Sequence, residues 1–351
     1  MGYEFHLNPH RSRDFALVAA GAAPAFHRRM AGYAPTELRE APELATAMGV
    51  GRVLLKLETE RFGLPAFKIL GASWAAERLL AGRDVDGITL VTATDGNHGR
   101  AVARVARMRG LAAHILVPAG TASARIDGIA SEGAHVEVVD GSYDEAVARA
   151  ADMADETRLV LSDTSWPGYE EVPRWVVEGY ETIFREADEQ LGGEQPDVAL
   201  IPIGVGSLGV AAACHWPRGR PRLVGLEPET AACALASIRA GEPVTVPGPH
   251  ESIMAGLNAG TVSKLAWPVL RDRFDAFVAI DDSWAEDGMR SLAAIGIEAG
   301  EVSGGTVGAA LALCDDEAAR QRLGLSADST LFLLLTEGLT NPDSWLRAVG
   351  R

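Results

Sequence analysis

The strongest constraint on the fold of this 351-residue chain is a rhythm that runs from Lys68 to about Asp163. Short apolar runs at 88–93 (ITLVTA), 113–117 (AHILV), 135–139 (HVEVV) and 158–161 alternate with amphipathic stretches at 71–81, 99–109, 122–132 and 142–155. Alternation of this kind predicts a parallel sheet with helices on its faces. A second set follows: helix 172–190, strand 197–202, helix 208–215, strands 222–226 and 276–280, helices 283–298 and 305–314, and strand 330–335. Ahead of the first set, Thr36 is placed to cap a helix ending at Met48, and 52–58 reads as a strand. Lys56 inside that strand is expected to be an edge lysine facing solvent. The length suits two cores, so the expectation is α/β: two open twisted domains with a cleft between them. In such sheets ligands bind beyond the carboxyl ends of the strands.

Charge narrows the partners. The net charge is −16 and the pI about 5.0, the wrong sign for nucleic acid or an anionic membrane surface. An anionic ligand would need local help from backbone amides and helix N-termini. The first residues, MGYEFHLNPHRSRDF, lack the apolar segment of a signal peptide. The three cysteines, Cys214, Cys233 and Cys314, form no metal-ligand spacing. Reduced thiols in a cytoplasmic protein, with no metal site, are expected.

Four strand-end stretches concentrate polar groups. The loop 203–209 (IGVGSLG) leaves a strand and opens a helix; its glycines let amides approach a phosphate. Equally, it reads as a tight turn. A dinucleotide would want an acid about 20 residues further on, and Glu227 at a strand end is the one available. Thr92–Gly99 (TATDGNHG) packs an acid, an amide and an imidazole between glycines. Asp163 ends the last strand of the first set, and Thr336 ends the final strand. One residue adds to these. Of 32 basic residues only Lys56, Lys68 and Lys264 are lysines, and arginine cannot do a lysine's covalent chemistry. Lys68 sits between apolar neighbours at the mouth of a predicted helix.

Together the segments RFGLPAFKILGAS (61–73), TATDGNHGRAVA (92–103), SDTSWPGYEEVPRWVVEGY (162–180), IGVGSLG (203–209), ESIMAGLNAG (251–260) and LLTEGLTNP (334–342) resemble the pyridoxal phosphate (PLP) enzymes of fold type II, the tryptophan synthase β-like group. The match is closer to the diaminopropionate ammonia-lyase family. The resemblance implies a large PLP-binding domain of residues 1–67 and 168–351 and a small α/β domain of 68–167. It implies that Lys68 holds PLP as a Schiff base and returns as a base. Asn97 contacts the ring hydroxyl, and Gly204, Val205, Gly206, Ser207 and Leu208 bind the phosphate. Thr336 meets the pyridine nitrogen, and Asp95 and Asp163 face the substrate. The implied reaction is α,β-elimination on D- or L-2,3-diaminopropionate, giving pyruvate and ammonia, by a homodimer. Asp95, opposite Lys68, would serve the mirror-image substrate. The turn Leu339-Thr340-Asn341 and the stretch Val302–Gly308 depart from the family pattern. They leave open elimination or replacement on another β-substituted amino acid; a nucleotide-binding α/β protein is the more distant alternative.

Overall fold

The computed structural model describes residues 2–12, 21–94, 96–216 and 219–350. Along the described chain, β1 (Tyr3–Leu7), α1 (Ala23–His27), β2 (Leu38–Glu40), α2 (Pro42–Met48) and β3 (Arg52–Leu57) come first. Then follow α3 (Ile69–Leu80), β4 (Thr89–Ala93), α4 (Asn97–Arg109), β5 (Ala112–Pro118), α5 (Ser123–Ala130), β6 (His135–Val139), α6 (Tyr143–Asp152) and β7 (Arg158–Val160). The second set is α7 (Glu171–Leu191), β8 (Val198–Pro202), α8 (Ser207–His215), β9 (Arg222–Pro228), α9 (Cys233–Ala240), α10 (Trp267–Arg273) and β10 (Ala276–Ile280). It closes with α11 (Asp282–Ala294), α12 (Glu301–Asp315), α13 (Glu317–Leu323), β11 (Thr330–Leu335) and α14 (Pro342–Val349).

Two sheets result. Strands β6-β5-β4-β7 form a four-stranded, wholly parallel sheet. The other seven order as β1-β10-β9-β8-β11-β3-β2, with a parallel centre and antiparallel edges at β1 and β2. Side-chain alternation divides each strand between two layers. In β11, Phe332 and Leu334 join the core under α7 and α8, while Leu331, Leu333 and Leu335 join the core under α12. Among the described residues no helix is long and apolar enough to cross a membrane.

The start of the chain departs from expectation. Thr36 does not cap a helix; it is buried and its hydroxyl donates to Glu58 Oε1 at 2.7 Å. Residues 38–40 instead pair with the free side of β3, Leu38 opposite Lys56. The helix starts only at Pro42, whose missing N–H is no loss in a first turn. Lys56 is consequently not on an edge. It is fully buried, and its Nζ donates to Thr36 O, Gln190 Oε1 and Glu186 Oε2 at 2.9, 2.9 and 3.1 Å. Arg61 joins it, bonding Glu186 at 2.7 Å and Glu58 at 2.5 Å. Two cations and two carboxylates thus share one dry pocket between β3 and α7, the arrangement in which buried charge is tolerated.

Helix lengths shift for a related reason. Gly296, at φ 76°, follows the end of α11, and α12 begins at Glu301 rather than 305. Its glycines are packing surfaces: a Cβ on Gly288 of α11 would lie 1.9 Å from Gly304 O.

The same device sets α3 on α7. A Cβ on Gly179 would lie 2.4 Å from Leu70 O, and one on Gly71 would lie 2.5 Å from the Tyr180 ring. The two backbones therefore touch within a turn of Lys68, and the Tyr180 ring packs edge-on against Phe67 at 4.7 Å. A methyl here has nowhere to go. Gly179→Ala is expected to destabilise the protein by about 1–3 kcal/mol, read as a lower denaturant midpoint; an unchanged midpoint would show that the helices separate freely.

Candidate active site

Lys68 precedes the first turn of α3 with helical backbone angles (φ −55°, ψ −25°). Its amine bonds Asp163 Oδ2 at 2.6 Å and stands 5.4 Å from the Phe67 ring centre and 5.8 Å from that of Tyr180. The Phe67 and Tyr180 rings and the Asp163 carboxylate therefore border it.

Asp163 lies just past β7 and is buried. Burial would raise its pKa, but the Lys68 ammonium, then His98, outweigh it and hold the carboxyl at about 2. His98 Nδ1 is 3.8 Å from the same oxygen. Its Nε2 points at Leu161 O, 2.8 Å away, so that nitrogen carries the hydrogen. Burial first, and Lys68 after it, lower the His98 pKa against the pull of Asp163. The imidazole is held neutral, with an unprotonated Nδ1 facing the ion pair.

The loop after β4 is folded by its own threonine. Thr94 Oγ1 accepts from Gly96 N at 2.9 Å and Gly99 N at 3.1 Å. A Cβ on Gly99 would meet Thr94 Cγ2 at 2.3 Å, so the helix start lies flush on the strand end. This places Asn97 at the head of α4, where its Nδ2 donates to Glu337 Oε2 at 2.6 Å. Glu337, following β11, also accepts from Val302 N at 3.1 Å. Ser303 Oγ donates to Glu337 O at 2.7 Å and accepts from Glu337 N at 3.0 Å.

The glycine loop after β8 is built as an anion cradle. Gly206 has φ 103°, and a Cβ on it would lie 2.6 Å from Ala266 Cβ. Among the described residues, the amides of 204–209 donate to no protein group. They open at the N-terminus of α8, where the helix dipole favours negative charge. The Ser207 hydroxyl donates to Asp163 O at 2.6 Å, tying the cradle to the end of β7.

Lys68, Asn97, Asp163, Gly204, Val205, Gly206, Ser207, Leu208 and Thr336 line one cavity, at the carboxyl ends of β4, β7, β8 and β11. Asp95 lies outside the described residues. The cavity also holds Glu337, His98 and Tyr143, to which motif reading gives no role. Glu337 and His98 had a usable signal, since each adjoins or sits within a strand-end motif. Tyr143 had none; it comes from the start of α6. The residues fit PLP: a lysine amine, an anion cradle with open amides, and the Asn97 amide in the same cavity. They do not fit a dinucleotide. Glu227 is fully buried and accepts from Ala234 N and Leu235 N at 2.7 and 2.8 Å, capping α9, with burial raising its pKa to about 8.

Comparison with known proteins agrees with this geometry. The family model for pyridoxal-phosphate dependent enzymes matches residues 30–337. The diaminopropionate ammonia-lyase of Salmonella typhimurium is 35% identical, covering 91% of this chain and 89% of its own. That of Escherichia coli is 34% identical, covering 95% and 92%. The crystal structure of the Escherichia coli enzyme in complex with an aminoacrylate-PLP azomethine reaction intermediate superposes with a TM-score of 0.91 at 31% identity, covering 99% of this chain and 97% of that one. The fold is therefore type II, the cofactor is pyridoxal phosphate, and the chain belongs to the diaminopropionate ammonia-lyase family of pyridoxal-phosphate dependent enzymes.

Proposed function

We propose that this enzyme catalyses α,β-elimination on 2,3-diaminopropionate, giving pyruvate and two ammonia. The observation that carries the reading is the convergence of Lys68, the Asn97 loop, the open-amide cradle and Asp163 on one cavity. When bound, PLP supplies an electron sink for the carbanion formed at the substrate α-carbon.

The chain's own groups do the rest. Lys68 holds the cofactor covalently, and once released its amine takes the α-proton. For that it must be neutral, and Asp163, held ionised 2.6 Å away, keeps the amine oriented in the cavity. Gly204 to Leu208 would grip the phosphate by their backbone amides, with the Ser207 hydroxyl fixing the loop to Asp163 O. Asn97 has one amide hydrogen on Glu337 and a second to give the ring hydroxyl. Thr336, which lines the cavity, would meet the ring nitrogen with a neutral group, and that favours elimination over transamination. His98, buried and uncharged, keeps the Lys68–Asp163 pair from gaining a second cation. Asp95 is assigned the α-proton of the D-isomer.

We assign residues 1–67 and 168–351 to a large cofactor-binding domain and 68–167 to a small one. We further propose a cytoplasmic homodimer. Cys214, Cys233 and Cys314 are not disulfide-bonded, which accords with a reducing compartment.

Borohydride reduction of the cofactor-loaded protein is expected to fix the cofactor on the peptide containing Lys68. Lys68→Ala should lower pyruvate release by at least about a hundredfold; release as fast as the parent's would remove the role given to this lysine. Asp95→Asn should depress turnover of the D-isomer more than the L-isomer, and an equal fall would discard the two-face division. A third expectation concerns acid. The Asp163 pKa is depressed in the fold, so its contribution is present above the unfolded value of 3.8 and lost as pH falls through about 2. The loss is roughly 2 kcal/mol. Urea midpoints of the ligand-free protein should fall over that window, and less steeply for Asp163→Asn; parallel curves would argue that the pair adds nothing to stability.

A further inference from the structure

The Lys68 ammonium must shed a proton before its amine can bond a cofactor or act as a base. Asp163, with a pKa held at about 2, is too weak an acceptor to keep that proton. A second acceptor stands beside the pair. His98 is 3% exposed and lines the same cavity as Lys68. Its Nε2–H is committed to Leu161 O at 2.8 Å. Its Nδ1 is buried and, among the described residues, has no hydrogen-bond partner. That lone pair stands 3.8 Å from Asp163 Oδ2, the oxygen that the Lys68 amine bonds at 2.6 Å. A buried acceptor without a donor is costly, and one turned towards a carboxylate is more so. A proton arriving on Nδ1 removes both costs.

The charges allow it. Lys68 as ammonium, Asp163 as carboxylate and His98 as neutral imidazole sum to zero. Lys68 as amine, Asp163 as carboxylate and His98 as imidazolium also sum to zero, so the transfer buries no new net charge. The surroundings push the same way. After burial, the Lys68 ammonium lowers the proton affinity of His98, while Asp163 raises it. A Lys68 made uncharged by its bond to the cofactor leaves the pull of Asp163 unopposed. The other titratable groups do not compete. Burial keeps the Tyr169 and Tyr180 phenols protonated. Glu337, which lines the cavity with Tyr143, is engaged by Asn97 and Val302.

We propose that His98 is the proton partner of Lys68: the proton that leaves the Lys68 ammonium moves to His98 Nδ1, and the imidazolium replaces the ammonium as the cation of Asp163. One N–H bond breaks at Lys68 and one forms at His98, with no further reactant. While His98 holds that proton, a Lys68 amine released by substrate stays neutral and able to take the α-proton. The inference rests on the reading of Lys68 as the cofactor lysine and deepens it by naming where its proton is kept.

The test follows the ring nitrogens of the full-length protein by NMR with 15N-labelled histidine. The His98 signals are those missing from His98→Gln, in which the glutamine keeps a donor for Leu161 O and lacks the second nitrogen. Three samples are titrated: the ligand-free parent, ligand-free Lys68→Met, and the parent loaded with PLP. The His98 midpoint is expected to rise by about one pH unit or more, tenfold in proton affinity, in the second and third relative to the first. A midpoint unchanged in either overturns the proposal. A kinetic arm separates a structural role. On adding PLP to ligand-free protein, the visible band of bound cofactor should grow about tenfold or more slowly in His98→Gln near neutral pH. The two rates should converge at alkaline pH, where Lys68 loses its proton to solvent. A deficit equal at every pH assigns His98 to the fold and overturns the proposal. Borohydride fixation on a peptide without Lys68 defeats the cofactor-lysine reading itself; fixation on Lys68 with a stationary His98 midpoint defeats this proposal alone.

Discussion

The contact on which the site depends is the 2.6 Å pair between the Lys68 amine and the Asp163 carboxylate. Asp163 would be poorly placed alone, since a buried carboxylate is driven towards protonation; the Lys68 ammonium beside it outweighs that penalty. The pair also joins distant pieces of chain. Lys68 heads α3, Asp163 follows β7, and the Asp163 carbonyl receives the Ser207 hydroxyl from the glycine loop. One carboxylic acid residue therefore aligns amine and cradle through its side chain and its backbone.

The wider charge distribution makes local construction necessary. The chain carries a net −16, so its overall field opposes a phosphate. Within the cradle, fixed amide dipoles at short range outweigh distant charges that solvent screens. The buried Lys56–Arg61–Glu58–Glu186 group follows the same logic away from the site. It is closed on itself, with each carboxylate facing a guanidinium or an ammonium.

Much of the fold was legible because parallel sheets write a strong signature: continuous apolar strands, amphipathic helices and glycine stops between them. Strand-end motifs then located the cavity, since chain topology brings those ends together. The failures have physical causes. Thr36 read as a helix cap because its neighbours favour helix, and only the unpaired side of β3 turned them into a strand. Lys56 read as an exposed edge residue because nothing local announces that Glu186 and Gln190, 130 and 134 positions away, come to meet it. The scarcity of lysine pointed to Lys56 as well as Lys68, and the reasons differ: one amine is closed in by acceptors, the other opens on a cavity. Tyr143 was silent for a related reason: it reaches the cavity from the start of α6, which no spacing along the chain encodes.

The bond from Asn97 to Glu337 spans the two sheets, from the end of β4 to the end of β11. Asn97 thus ties the end of one sheet to the end of the other while lining the same cavity as Lys68. Any separation of the two sheets at this point would have to stretch that bond, so the width of the cleft and the direction of the Asn97 amide are set together.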